Sequence, residues 1–216
     1  MRPEILTAQP FDRKPVVNFI NGTLELETGT FRAHSEDDYC SIQLPYSYNP
    51  EATCPAWNKF IDQITANDPK RAENLQFIAG YALFADCRHE KIFVLTGEGG
   101  NGKTVYTKVI SRLFGTENVS NITPRGLTEA FERIHLRDSI LNIAGEIKSD
   151  ISGAEEIMKE LASGEQIQAC YKGQDYITFT ARAKMVFCCN GQLKSSDTSE
   201  GLSRRLVIID FPCRVS

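Results

Sequence analysis

The feature that most constrains how this chain can fold is a change of pattern between residues 92 and 114. The apolar run Ile92-Phe93-Val94-Leu95 is followed by Gly97-Glu98-Gly99-Gly100-Asn101-Gly102-Lys103-Thr104, and then by apolar residues at Val105, Val109, Ile110, Leu113 and Phe114. The first segment has the length and composition of a buried strand, and the last has the spacing of a helix. The chain must turn sharply between them, and glycines permit this because they adopt positive φ without a Cβ clash and let successive N–H groups point inward. A strand, a glycine loop and a helix N-terminus form a cradle for an anion, and the spacing Gly-x-x-x-x-Gly-Lys-Thr is that of a loop that holds a nucleoside triphosphate such as ATP. In this frame Gly97, Glu98, Gly99, Gly100, Asn101 and Gly102 wrap the phosphates. Lys103 reaches the β- and γ-phosphates and the Thr104 hydroxyl ligates Mg2+.

From Lys91 onward strand-like and helix-like runs alternate, which predicts an α/β fold built on a largely parallel sheet. Strands are expected near Ile92 to Leu95, Val119 to Ile122, Ser139 to Ala144, Lys184 to Cys189 and Leu206 to Phe211. Helices are expected near Lys103 to Phe114, Thr128 to Ile134 and Ala154 to Ser163. Gln166 to Tyr171 and Tyr176 to Phe179 flank Lys172-Gly173-Gln174-Asp175 and read as a hairpin. Residues 1–72 differ in character. Val16 to Ile20, Thr23 to Leu26 and Thr30 to Ala33 are short β-prone segments, with Asn21-Gly22 suited to a type I′ turn. Two amphipathic helices follow, Ala56 to Thr65 with Trp57, Phe60, Ile61 and Ile64 on one face, and Lys70 to Phe84 with Leu75, Ile78, Ala79 and Leu83 inward. The expected division is therefore an N-terminal α+β region over 1–72 and an ATPase core over 73–216.

An apolar fraction of 41% with 24% charged residues excludes a disordered or fibrous chain. No apolar run approaches the roughly 20 residues of a membrane span, and the Pro- and charge-punctuated N-terminus lacks the apolar stretch of a leader peptide, so a cytoplasmic protein is expected. The net charge of −4 argues against a broad basic face for duplex DNA, so any nucleic-acid contact must be local. The seven cysteines show no Cys-x-x-Cys spacing and are expected to be reduced, mostly buried thiols.

Hydrolysis requires a metal clamp, a positioned water and charge stabilisation at the γ-phosphoryl group. The strand ending at Gly145-Glu146 puts a carboxylate where open α/β sheets bind ligands, so Glu146 is the candidate Walker B acid, organising Mg2+-bound water or activating the attacking one. Asn190, after Met185 to Cys189, fits either a turn or a sensor of the γ-phosphate. Arg204-Arg205, before Leu206, fits either a solvated pair or a guanidinium offered to a neighbouring subunit's transition state. Lys172-Gly173 is an exposed hairpin tip or a phosphate contact, and several such tips converging in a ring would bind one strand of nucleic acid. Tyr171 and Tyr176 can stack on bases or pack across the hairpin, the latter being the expectation.

In this order the pieces resemble the helicase part of phage- and plasmid-type primase-helicases, a group of superfamily 3 that includes poxvirus members. The resemblance runs through Asn18 to Leu26, Leu44-Pro45-Tyr46, Cys54 to Trp57, the Gly97–Thr104 loop with Asn101 before Gly-Lys, Met158 to Glu165, Lys184 to Asn190 and Ser203 to Phe211. It implies an AAA-like P-loop core whose Walker A and B strands are separated by another strand. It also implies a hexameric ring and ATP-driven translocation on single-stranded DNA, with Lys172 on the pore hairpin and Arg204 or Arg205 completing the next subunit's site. Thr104 and Glu165 stand where Ser and Asp are commoner. With the chain ending at Ser216 and no primase site upstream, the resemblance implies a fragment of a longer replication protein with a linked primase domain. An ATP-dependent DNA-binding or assembly module that does not unwind DNA is the alternative, and a monomeric small-molecule phosphotransferase a third reading.

Overall fold

The computed structural model describes residues 11, 12 and 14–214. The N-terminal stretch read above for a leader peptide lies largely outside the described residues. The chain separates into two compact units at Pro50/Glu51, whereas the sequence pattern divides it at residue 72.

The first unit is a three-stranded antiparallel sheet of β1 (Val16–Phe19), β2 (Gly22–Glu25) and β3 (Phe31–Arg32). Its first turn differs from the expected type I′. Phe19 pairs with Gly22, so Ile20 and Asn21 form the tip, and neither has positive φ. The Asn21 side chain is engaged instead by the Tyr48 backbone, accepting from its N–H at 2.8 Å and donating to its carbonyl at 3.0 Å. Gly22 is required by close approach, since a Cβ there would lie 2.7 Å from Phe31 Cζ. Arg32 ties the sheet to the following turn through Glu25 (2.8 Å) and the buried Asp38 (2.6 Å).

In the second unit the helices α1 (Pro55–Thr65) and α2 (Pro69–Ala82) each begin at a proline, and the Asp68 carboxylate caps α2 by accepting from Lys70 N at 2.9 Å. Next come β4 (Ile92–Thr96), α3 (Lys103–Phe114), β5 (Val119–Ser120), α4 (Pro124–Leu127), α5 (Ala130–Arg133), β6 (Leu141–Ile147) and α6 (Glu155–Ser163). The chain ends with β7 (Gln166–Ala169), β8 (Ile177–Thr180), β9 (Lys184–Cys189), α7 (Glu200–Ser203) and β10 (Leu206–Asp210).

The main sheet is parallel throughout with order β10-β4-β9-β6-β5, and β7 and β8 form a separate hairpin. The phosphate-loop strand β4 is thus separated from β6 by β9, as the resemblance implies. Both central strands are buried along their whole length, which a sheet covered on two faces requires. Crossover direction reverses between β4–β5 and β5–β6, so right-handed connections put α3 on one face and α4, α5 and α6 on the other. On the α6 face Ile92, Val94, Met185 and Phe187 pack with Leu127, Met158, Leu161 and Leu202. On the α3 side the Tyr106 hydroxyl donates to Leu75 O at 2.7 Å and its ring stacks on Trp57.

Three segments depart from expectation for local reasons. β5 stops at Ser120 because the buried Asn142 amide replaces the next rung, accepting from Ile122 N at 2.7 Å and donating to Ile122 O at 2.8 Å. Of the helix expected over 128–134, α5 covers only 130–133, because Glu129 is extended; it separates α5 from α4, a short helix over 124–127 that the sequence pattern does not predict. On α3 the buried residues are Lys103, Tyr106, Ile110 and Phe114, and Val105, Val109 and Leu113 are exposed. The cysteines are all free thiols, but only Cys188 and Cys189 are buried, and Cys54 is exposed.

Candidate nucleotide site

The loop from Gly97 to Gly102 leaves the carboxyl end of β4 and enters α3 at Lys103. Gly97, Gly100 and Gly102 have φ of 139°, 76° and 90°, values that a side chain would strain. Asn101 is buried and donates to Phe211 O at 3.1 Å, while Phe211 N donates to Thr96 O at 2.9 Å. The loop is thereby fastened to the chain leaving β10. Gly97 is needed for this closure, since a Cβ there would stand 2.7 Å from Phe211 O and would strike the Asn101 amide.

Lys103 is buried and its ammonium donates to Gly97 O (2.5 Å), Asn101 Oδ1 (3.0 Å) and Glu98 O (3.3 Å). Burial lowers its pKa, opposed by the nearby Cys188 and Cys189 thiols and by the Asp210 and Glu146 carboxylates. Thr104 is exposed in the first turn of α3. Glu146 sits at a break in the β6–β9 register between Ala144 and Ile147, is solvent-exposed and has φ of 51°. Such a bulge re-aims a side chain at a sheet edge, and a left-handed glutamate is uncommon enough to mark a constrained site. Asn190 is exposed directly after β9, whose last residue Cys189 is level with both Thr96 and Ile147. The phosphate loop, Glu146 and Asn190 therefore leave three adjacent strands at the same edge. Asp210, missed from sequence because it was absorbed into the strand reading, is level with Thr96 at that edge. Its only cue was a carboxylate closing an apolar run.

Arg204 and Arg205 lie at the opposite end of the sheet, where Arg205 O accepts from Ile92 N at 2.8 Å. The register separates them from the loop by about 15–20 Å along β10. The two also differ from each other. Arg205 is enclosed, its side chain 10% exposed, donating to Gly201 O (2.5 Å) and Ser163 Oγ (2.6 Å) and pairing with Glu90 (3.0 Å). The Arg204 side chain is 64% exposed and, among the described residues, pairs with Glu90 alone, at 3.3 Å. Lys172 and Gly173 are exposed between β7 and β8, with Gly173 at φ 79°. Contrary to the expected cross-strand packing, Tyr171 and Tyr176 are both exposed.

The strand order, the loop and the carboxylate on the strand one removed define a P-loop NTPase core of the kind found in helicases. The chain belongs to the family described as "Family of unknown function (DUF5906)", which matches residues 95–205 and so spans the sheet edge from β4 to Arg205. Residues 4–66 match a second family, "D5 N terminal like". Among curated relatives, "Putative helicase 121R" of Invertebrate iridescent virus 3 is 25% identical over 93% of this chain and 23% of its own length. "Putative helicase L207/L206" of Acanthamoeba polyphaga mimivirus is 25% identical over 91% of this chain and 22% of its own length. The chain thus spans about a quarter of the length of these relatives. The fold is shared with the C-terminal region of NrS-1 (TM-score 0.58, 17% identity, 83% of this chain and 44% of that one). It is also shared with JCV helicase (TM-score 0.50, 16% identity, 75% and 46%). The chain is accordingly similar to phage and viral superfamily 3 primase-helicases. No helix among the described residues is long and apolar enough to cross a membrane.

Proposed function

We propose that this chain is the motor part of an ATP-driven ring helicase that translocates on single-stranded DNA during replication of a phage, plasmid or similar element, in the cytoplasm of its host. The observation that carries this reading is the split between the two edges of one sheet. Lys103, Thr104, Glu146 and Asn190 share one edge, and the exposed Arg204 stands at the other, out of reach of its own phosphate loop.

In this reading Lys103 leaves the loop carbonyls for the β- and γ-phosphates. Thr104 and Glu146, exposed oxygen donors suited to a hard cation, hold Mg2+ partly through water. The metal neutralises developing charge on the phosphates when bound. Glu146 and Asn190 orient the attacking water. Arg204 stabilises the transferring phosphoryl group of the adjacent subunit in a hexamer, and Arg205 braces the element that carries it. Lys172 and Gly173 meet the DNA backbone, and a primase domain is linked in the longer protein.

Lys103→Ala and Arg204→Ala proteins, each inactive alone, are expected to recover part of their turnover when mixed, because mixed interfaces pair an intact loop with an intact arginine. Single-stranded DNA is expected to accelerate wild-type turnover. Absence of recovery in assembled mixtures removes the arginine from the site. Turnover without unwinding of a forked duplex favours an assembly module.

A further inference from the structure

The segment joining β9 to β10, residues 190–205, carries Asn190 at one end and Arg204 at the other, and it is fixed along α6 by a polar stripe. Glu155, Lys159 and Ser163 recur every four residues and so lie on one face of that helix. Each takes a different part of the segment. Glu155 Oε1 accepts from Ser195 Oγ (2.9 Å), Ser196 N (3.0 Å), Ser196 Oγ (2.8 Å) and Asp197 N (3.3 Å), while Oε2 accepts from Gly153 N (2.6 Å). One turn on, Lys159 pairs with Asp197 at 2.8 Å. At the last turn Ser163 Oγ accepts from Arg205 at 2.6 Å.

α6 is itself anchored in the core by Met158, Leu161 and Ala162. Burial pushes the Glu155 carboxyl up, but its own backbone N–H and the donors of Ser196, Ser195 and Gly153 outweigh that and hold it down at about 2, so the clamp is ionised. The start of the segment is tied as well to the chain leaving β6, through Lys194 N to Ser149 O (2.7 Å) and Ile151 N to Lys194 O (3.0 Å). The far end of α6 terminates at Gly164 in the left-handed region and passes two residues later into β7, the first strand of the Lys172 hairpin. That strand is held near its tip end by Arg133, which donates to Gln168 O at 2.9 Å.

We infer that Glu155 is a positioning residue: with Lys159 and Ser163 it makes α6 and the 194–205 segment one rigid strut, so that the load on the hairpin is transmitted to Asn190 and Arg204. Three polar rungs along one packed helix tie the segment to α6, while Asn190 and Arg204 near its ends stay exposed. A tie of this kind affects how turnover responds to DNA, beyond any effect on stability. The inference rests on the helicase reading.

The test compares ATP turnover by the assembled chain with and without an oligothymidylate, in wild type, Glu155→Gln, Lys159→Met and the Ser195→Ala/Ser196→Ala double variant. In Glu155→Gln one carboxylate acceptor becomes a donor facing donors. The expected result is basal turnover within about twofold of wild type, unchanged oligothymidylate affinity and a loss of DNA stimulation of about fivefold or more, the scale of a coupling between sites. If Glu155→Gln does not fold, as read from thermal unfolding, the Lys159 and serine variants decide. Basal and stimulated rates that fall in the same proportion, or stimulation that is unchanged in folded variants, overturn the strut. A wild type without DNA-stimulated turnover overturns the helicase reading itself.

Discussion

Lys103 and Lys184 are both buried, both donate to backbone carbonyls, and burial lowers the pKa of both. They sit at opposite edges of the same sheet. Lys103 opens α3 and is held by a loop whose residues 98–100 are exposed, with the Glu146 and Asp210 carboxylates near enough to act on its charge. Lys184 opens β9 and is closed in, donating to Arg182 O (2.6 Å) and Phe84 O (2.9 Å) with its ammonium 4.8 Å from the centre of the Tyr81 ring. A perturbed lysine is therefore no mark of function by itself. What separates the two is the exchangeability of their partners. Glycine-loop carbonyls at an open edge can be traded for phosphate oxygens, whereas the Phe84 carbonyl just past α2 and a tyrosine face are parts of the fold.

The sharpest way to break this comparison is to remove each ammonium in turn. Lys103→Ala is expected to lower ATP turnover by about a hundredfold or more, the scale of losing a donor that acts on transition-state charge, with little change in thermal midpoint. Lys184→Ala is expected to do the reverse. Removing the donor to two partly buried carbonyls and opening space beside Tyr81 costs about 2–3 kcal/mol, a fall of roughly 5–10 °C in a domain of this size, with turnover per folded molecule retained. Calorimetric unfolding and steady-state turnover on the same preparations separate the two. Equal behaviour of the variants would mean that the edges are not chemically distinct.

Sequence pattern reaches further at the open edge than at the closed one. The positions of Lys103 and Thr104 are legible from the spacing of the glycine loop, and those of Glu146 and Asn190 because each stands at the end of an apolar run, where a parallel sheet delivers its strand ends to one place whatever the packing details. The positions of β4, β9 and β10 are legible for the same reason. Lys184, Glu155 and the enclosed state of Arg205 are not, because they depend on partners 41 to 100 residues away, Ser196, Ser163 and Phe84. Arg204 and Arg205 are chemically identical in sequence, and only the fold separates an exposed guanidinium from a brace. The exposed Val105, Val109 and Leu113 on α3 show the same limit from the other side, since helical spacing gives a face without saying what covers it. The turn at Asn21-Gly22 departs from the type I′ expectation because a side-chain contact to Tyr48 engages Asn21 in place of its intrinsic φ preference.

Within the closed edge the two arginines provide the next test. Arg205→Ala removes donors to Gly201 and Ser163 and the pairing with a half-exposed Glu90, and is expected to cost about 2 kcal/mol. Arg204→Ala, at a solvated pair, is expected to change stability by less than about 0.5 kcal/mol. Chemical denaturation of both variants checks the contrast, and a reversed order would exchange the two roles.

The smallest expected effect is a pH dependence that only the closed lysine supplies. In the folded chain Lys184 titrates near 8, against an ordinary value of 10.5, because burial disfavours its charge. Cys87 and Asp86 oppose that shift and Arg182 and Arg88 add to it. Between those values the unfolded chain binds the extra proton, so stability from this group rises with pH. It is complete above about 10.5 and is lost as pH falls through about 8. The slope has a ceiling of about 1.4 kcal/mol per pH unit. Cys87 and Tyr81 are themselves raised by burial and titrate with opposite sign over the alkaline range, so the wild-type curve alone does not isolate the lysine. The difference between wild type and Lys184→Met does, since both carry the same thiol and phenol. That difference is expected to move in favour of wild type from pH 8 to 9.5, by about 1 kcal/mol per unit in urea unfolding. A flat difference would mean that the Phe84 and Arg182 carbonyls and the Tyr81 face stabilise the charge as well as water does, and Lys184 would then be as open to exchange as Lys103.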